Sequence, residues 1–411
     1  MEVVYPRCCG LDVHKKSVTA CILITEGGKP PVKQVRTFST MLDDLLRLST
    51  WLTDNAVSHV AMESTGVYWK PIWNVLEGSF ALLLVNARHI KAVPGRKTDV
   101  KDCAWIADLL RHGLLKGSFV PDQSQREARE LTRYRTSLVE ERSAEVNRLQ
   151  KTLEGANIKL ASVATDVMGA SGREMLEALM AGKSDPAALA ALARGRLREK
   201  MEELQRALAG RFKDHHRFLV AQQLAHIDYL DEAIERLDRE IAEKLRPFED
   251  AVVRLDAIPG IGRRIAEVLI VEIGVDMSRF PTAGHLASWA GMCPGNNESA
   301  GKHRSGRTRK GNPYVRTALT QAAQAASRKK DSYLAAQKQR IGARRGNKKA
   351  TVAVGHSILI MVYHLLKNPD SIYQDLGMHY FDERDRTIIE RRLVKRLEGL
   401  GYRVSLQPVA A

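Results

Sequence analysis

Cysteine is scarce: Cys8, Cys9, Cys21, Cys103 and Cys293 are the five in 411 residues, and no two show CxxC spacing. That excludes a zinc ribbon or a disulfide framework and fits a chain that works reduced, in the cytoplasm. Long apolar runs are missing as well. The longest, Thr351 to Leu366, is interrupted by His356 and His364 and falls short of the ~20 residues a membrane span needs. Met1 to Cys9 has no apolar h-region, so no secretory signal is expected. Acidic residues are in deficit, 48 Asp and Glu against 64 Lys and Arg, a net charge of +16. Such an excess suits a partner that carries phosphates. With 44% apolar and 27% charged residues the chain can bury sizeable cores, and its length leaves room for two or three domains of roughly 150 residues.

The positive charge is concentrated. Between Ala300 and Ala350 there are fifteen Lys or Arg and one acid, Asp331. A run of this kind is costly in self-repulsion unless a polyanion relieves it, so a nucleic-acid surface is expected there rather than a merely solvated loop. The remainder of the chain divides by pattern. Cys9 to Asp12, Ser17 to Thr25, Val32 to Phe38, His59 to Met62 and Phe80 to Val85 read as strands. Asp43 to Leu52, Tyr68 to Leu76 and Thr98 to Leu110 read as helices. This order predicts an α/β domain over residues 1–124, compatible with a ribonuclease H-like sheet.

Residues 125–250 read as a helical dimerisation arm. Gln125 to Leu160 is a long charged amphipathic helix, and Arg196 to Leu245 a second one with a leucine and isoleucine stripe. That stripe predicts a helical hairpin or coiled coil, with the Ala- and Gly-rich stretch Gly169 to Gly195 as connector. Residues 251–370 form a mainly helical second domain. It opens on Ile258-Pro259-Gly260-Ile261-Gly262 before an apolar helix, a helix-hairpin-helix signal in which Gly260 and Gly262 let backbone N–H groups approach a phosphate. An ordinary helix–helix turn is the plain alternative. The tail, 371–411, is charged and helical, with no role legible in it.

Four acids stand out by position. Asp12 and Glu63 each end a short apolar strand, and Asp99 and Asp102 share one face at the start of a helix. Singly, each has an ordinary explanation as a turn residue, a surface acid or a favourable charge at a helix N-terminus behind Thr98. Together they fall where one sheet would gather them. Two carboxylates ~4 Å apart repel by about 4 kcal/mol at an effective dielectric of 20, so convergence calls for a cation. Oxygen ligands select Mg²⁺ or Mn²⁺, and paired ions polarise a scissile phosphate. Farther on, Ser299 lies in a small-residue loop beside Lys302, His303 and Arg304. A serine there can attack a phosphodiester, or it can merely contact phosphates as part of a flexible loop.

The whole set, in order, resembles the DEDD transposases of insertion-sequence family 110, the bridge-RNA-guided recombinases. The matching residues are Gly10-Leu11-Asp12-Val13-His14-Lys15, Glu63-Ser64-Thr65-Gly66, Thr98-Asp99-Val100-Lys101-Asp102, Ala287-Ser288-Trp289-Ala290-Gly291, Ser299-Ala300-Gly301-Lys302, and Lys310-Gly311-Asn312 with Arg316. The resemblance implies a RuvC-like domain whose Asp12, Glu63, Asp99 and Asp102 bind Mg²⁺, a coiled-coil arm, and Ser299 as nucleophile. It also implies a dimer of dimers that joins carboxylates and serine from different protomers. A structured guide RNA would pair with donor and target DNA. Lys302, Arg304, Arg307, Arg309, Lys310 and Arg316 are the residues expected on nucleic-acid backbones, and no membrane is expected. Two departures stand: Ala300 occupies a position where the family often has glycine, and Ser305 is a second hydroxyl close by. A Holliday-junction resolvase or hydrolytic nuclease would use the same acids with water as nucleophile. A non-catalytic helix-hairpin-helix protein would use none of them.

Overall fold

The computed structural model describes residues 2–26, 30–86, 102–295 and 297–406, with the backbone alone at 297–299, 303 and 304. The chain divides into two units, Met1–Pro121 and Asp122–Ala411.

In the first unit, β1 (Arg7–Val13), β2 (Ser17–Ile24) and β3 (Val32–Ser39) form an antiparallel meander. Helix α1 (Leu42–Asp54) leads to β4 (His59–Glu63), and α2 (Trp69–Leu76) to β5 (Ala81–Val85). Then come α3 (Asp102–Arg111) and the short β6 (Gly117–Ser118). The sheet order is β3-β2-β1-β4-β5-β6, with β1, β4 and β5 parallel. The strands and helices expected from the sequence are all present with ends shifted by a few residues. Only the start of the last expected helix, 98–101, lies outside the described residues.

Period-two alternation gives each strand two faces. Cys9, Leu11 and Val13 of β1 join Val60 and Met62 of β4 in a core closed by Leu48 and Trp51 of α1 and Ile72 of α2. Cys8 and Ala61 point the other way, toward Cys103, Ala104, Ala107 and Leu110 of α3. Gly10 lies on that second face. A Cβ there would stand 2.3 Å from the Cys103 carbonyl and 2.4 Å from the Ala107 nitrogen, so only glycine lets α3 lie directly on β1. Burial pushes the Cys8 thiol up to about 12 and Cys9 well above its ordinary value. These thiols therefore stay protonated and serve as small apolar groups.

The second unit is helical. Helix α4 (Gln123–Gly155) and, after α5 (Ala170–Met180), α6 (Pro186–Ala190) and α7 (Met201–Leu208), helix α8 (Asp214–Leu245) make an antiparallel hairpin. Polar rungs tie its outer edges. Lys244 pairs with Glu127 at 2.8 Å, Arg135 with Asp238, Arg142 with Asp231, and Gln223 donates to Thr152 at 3.1 Å.

Two expectations are corrected here. The helix expected from Arg196 to Leu245 is interrupted after Leu208, where Gly210 abuts the Ala156 carbonyl so closely that a Cβ would lie 2.6 Å from it. The supposed connector, Gly169 to Gly195, is folded. Met175, Leu176, Leu179 and Leu189 build a core with Leu149 and Leu153 of α4 and Leu224 of α8. Gly172, Ala178, Ala190 and Ala193 pack closely into that core, while the remaining alanines and glycines lie at its surface.

At the other end of the hairpin, α9 (Glu249–Asp256), α10 (Arg263–Ile273), α11 (Ala283–Trp289), α12 (Pro313–Ala326), α13 (Tyr333–Arg345) and α14 (Asn347–Lys367) share a second core with Ala128, Ile241 and Leu245. Between α11 and α12 comes a two-stranded hairpin, β7 (Asn297–Ser299) and β8 (Lys302–Ser305). Helix α14 contains the apolar run expected to be too short for a span. At 21 residues it is in fact long and apolar enough, by length and composition, to cross a bilayer. Its Val354, Ile358, Leu359 and Val362 are fully buried in the shared core, which explains its apolarity. Two tail helices, α15 (Tyr380–Arg384) and α16 (Arg386–Glu398), follow, and α16 buries none of its residues.

Candidate functional site

The acids of the first unit are arranged by the sheet. Leu11 pairs with Met62 across the parallel β1 and β4, so Asp12 and Glu63 come next at the same level of adjacent strands. Both fall in the same alternation as Cys8, Gly10 and Ala61, and so share the face that α3 covers. Asp102 is the first residue of α3, exposed, next to Cys103 on that face. Three of the four expected acids thus stand on one face at the carboxyl ends of the parallel strands, where open α/β sheets place their ligands. Asp99 lies outside the described residues.

Asp12 keeps 26% of its side chain exposed, and the His14 Nε2 stands 3.3 Å from its Oδ2. Among the described residues no three His, Cys, Asp or Glu are close enough together to hold a metal ion. The donor set does fit a hard divalent cation, being all carboxylate oxygen. Among the described residues, Asp12, Glu63 and Asp102 lie on one side of the sheet at one end of its parallel strands but are not drawn into a ligand cluster.

In the second unit the backbone of Ser299 ends β7, paired with Lys302 across a two-residue turn. Both turn residues are left-handed, Ala300 at φ 50° and Gly301 at φ 72°, as a type I′ hairpin turn requires. For Ala300 this costs roughly 1–2 kcal/mol of backbone strain. Ala300→Gly should therefore tighten the hairpin by about 1 kcal/mol and slow exchange of the β7 and β8 amides about fivefold. Unchanged exchange would mean that the turn is not strained.

The base of the hairpin is clamped. Pro294 bridges to Thr308, and the Gly295 N–H donates to the Arg307 carbonyl at 2.9 Å. Just outside, the chain crosses itself at Gly311, where a Cβ would lie 2.2 Å from the Ala290 carbonyl carbon and 2.3 Å from the Gly291 nitrogen. Asn312 then caps α12, its Oδ1 accepting from the Tyr314 and Val315 N–H groups. The Ala290-Gly291 and Gly311-Asn312 segments noted in the sequence are thus the two sides of this clamp.

Of the expected phosphate-contacting residues, Lys302, Arg307, Arg309 and Lys310 are exposed and Arg316 is half-buried, while the Arg304 side chain lies outside the described set. Gly262 is open and is the N-cap residue just before α10. Gly260 is used differently from the expectation: a Cβ there would meet the Ala322 carbonyl at 2.2 Å, so it packs against α12.

One buried charge network escaped the sequence reading. Glu272 of α10 is fully buried. Its carboxylate accepts from Arg133 Nε and Nη2 at 2.7 and 2.9 Å and from Asn312 Nδ2 at 2.7 Å. Arg129 lies 3.6 Å away and donates to the Val271 carbonyl at 3.1 Å. Burial holds its guanidinium down to about 10, opposed by the Glu272 charge. The signal was present, since an acid inside the apolar run Leu269 to Ile273 has to be paired.

The chain thus carries strand-end acids on an α/β unit and, after it, a clamped serine hairpin on a helical unit. Residues 9–158 match the family described as Transposase, and residues 253–339 match the Transposase IS116/IS110/IS902 family. Together the two matches take in more than half of the chain, which belongs to the IS110 family of transposases. The chain is also 28% identical, over 256 residues, to the Insertion element IS110 uncharacterized 43.6 kDa protein of Streptomyces coelicolor. That similarity takes in 57% of this chain and 62% of the relative's length.

Proposed function

We propose that this chain is the transposase of an insertion sequence, which cuts and exchanges DNA strands through a phosphoserine intermediate. The observation that carries the proposal is the ordered pairing of two matches to one family, the first around the strand-end acids and the second around the serine hairpin. The strand order, with its antiparallel meander followed by two parallel strands, supports a RuvC-like reading of the first unit.

Asp12, Glu63, Asp99 and Asp102 would hold Mg²⁺ or Mn²⁺, and a cation there supplies charge for the scissile phosphate. The Ser299 Oγ would lose its proton and bond to phosphorus while the bond to one sugar oxygen breaks, that oxygen taking up a proton. Energy of the phosphodiester is retained in the serine ester, so strands can be rejoined without ATP. Lys302 and the neighbouring arginines offset the charge that grows on phosphorus oxygens during attack. Donor and target DNA as substrates, a guide RNA and a dimer of dimers belong to the proposal through the family resemblance.

The test is a protein–DNA adduct that survives denaturation, formed from element-junction DNA and Mg²⁺ by protein purified with its bound nucleic acid. Wild type should form it, and Ser299→Ala should not. An adduct retained by Ser299→Ala and lost in Ser305→Ala would move the nucleophile to Ser305. Cleavage without any adduct, equal in wild type and Ser299→Ala, would replace the proposal with a hydrolytic nuclease.

A further inference from the structure

Beside the clamped base of the serine hairpin lies a groove of about 790 Å³. Met292, Val352 and Ala353 give it apolar walls, and Arg307, Lys348 and Lys349 stand along it. It is bounded by residues on both sides of β7–β8 and by α13 and α14, all within the second unit.

Two features set it apart from an ordinary surface cleft. The first is electrostatic. Lys348 and Lys349 occupy the first turn of a 21-residue helix that has no acid in that turn. Cations at a helix N-terminus are opposed by its dipole, and Arg344 and Arg345 stand in the last turn of the helix just before. An anion seated here removes that repulsion. The second is polar. Gln337 donates to the Ser357 Oγ at 2.8 Å, which leaves its Oε1 without a partner, and His356 Nδ1 also has none. Both residues line the groove. Its size is that of a ligand pocket, far below what a duplex requires.

We propose that this groove receives one unstacked nucleotide of the strand that passes the serine hairpin, with its base between Met292, Val352 and Ala353 and its phosphate at Lys348, Lys349 and Arg307. The inference rests on the nucleic-acid reading of the second unit and adds a site to it. The Gln337 Oε1 and His356 Nδ1 are shielded from water as they stand, and a small side-chain rotation would bring them to the base edge, which supplies the partners they lack. Apolar enclosure makes holding the base out of the stack favourable, so the site reads an extruded base, not a paired one.

The test compares two fluorescein-labelled single strands of equal length at matched salt, one bearing bases and one abasic throughout, binding to the full chain. Equal phosphates cancel the backbone attraction. Wild type should prefer the base-bearing strand by about tenfold, the scale of one buried base. Ala353→Phe fills the groove and should erase the preference while leaving abasic affinity unchanged. Gln337→Ala, a smaller disturbance to folding, should reduce the preference severalfold and serves if Ala353→Phe does not fold. Equal affinity of wild type for the two strands, or an intact preference in both folded variants, would overturn the site and leave the transposase reading in place. If neither strand binds at low salt, the nucleic-acid reading fails first and the site falls with it.

Discussion

Asp12→Asn should reduce metal-dependent strand cleavage by about 10³-fold, the equivalent of several kcal/mol of charge stabilisation, while costing the fold no more than about 1 kcal/mol. The two effects separate because Asn keeps the volume of Asp and removes only its charge. Asp12 retains 26% exposure, and its neighbour His14 is 63% exposed, so the pair is screened and contributes little to stability. Neutralising one of several acids on the same face also relieves repulsion when no cation is present. A second measurement isolates the metal. Bound at a hundred times its Kd, Mg²⁺ should stabilise wild type by about 2.7 kcal/mol, and Asp12→Asn should lose most of that gain. Equal Mg²⁺ stabilisation of both proteins, with cleavage intact in the variant, would remove Asp12 from the ligand set.

Glu272→Ala should be the most destabilising single change in the second unit, by about 3–5 kcal/mol in denaturant unfolding. The carboxylate is fully buried and holds Arg133 through two hydrogen bonds, with Arg129 close by. Removing it leaves cationic groups without their counter-charge, and Arg129 is only 13% exposed. The loss extends toward the serine. Asn312 would lose its Glu272 contact, although it is the residue that caps α12 directly after the chain crossing at the hairpin base. Glu272→Gln should fall between wild type and alanine, because it keeps the shape and some of the hydrogen bonds. A loss below 1 kcal/mol for Glu272→Ala would show that solvent reaches these arginines and that the network is ornamental.

The sheet was legible because alternation and strand-end chemistry are local. Glu63 closes the run Val60 to Met62 and is followed by Ser64-Thr65-Gly66, so its position at a strand end could be read without any tertiary contact. The face shared by Asp12 and Glu63 follows from register, which the sequence implies only once a strand order is assumed, and Asp102 reaches that side only through the packing of α3 on β1. The arm was misread where packing overrides composition. Leucines and isoleucines spaced three and four apart between residues 227 and 245 suggest one long helix starting at Arg196, but the chain breaks where Gly210 meets the end of α4. That contact is more than fifty residues away in sequence and leaves no local trace. Gly260 shows the same limit from the other side. The Gly-x-Gly turn was visible, whereas its close approach to Ala322 depends on where α12 lies.

The antiparallel hairpin of α4 and α8 carries one apolar core at each end and polar rungs between them. It therefore works as a ruler. Because the rungs keep a nearly constant register, matched deletions of seven residues from both helices would preserve the pairing of those that remain. Each such pair of deletions would draw the far core in by about 10 Å, at 1.5 Å per residue. The reach of the far core in this chain is thus set by the length of α4 and α8 and not by the packing at either end.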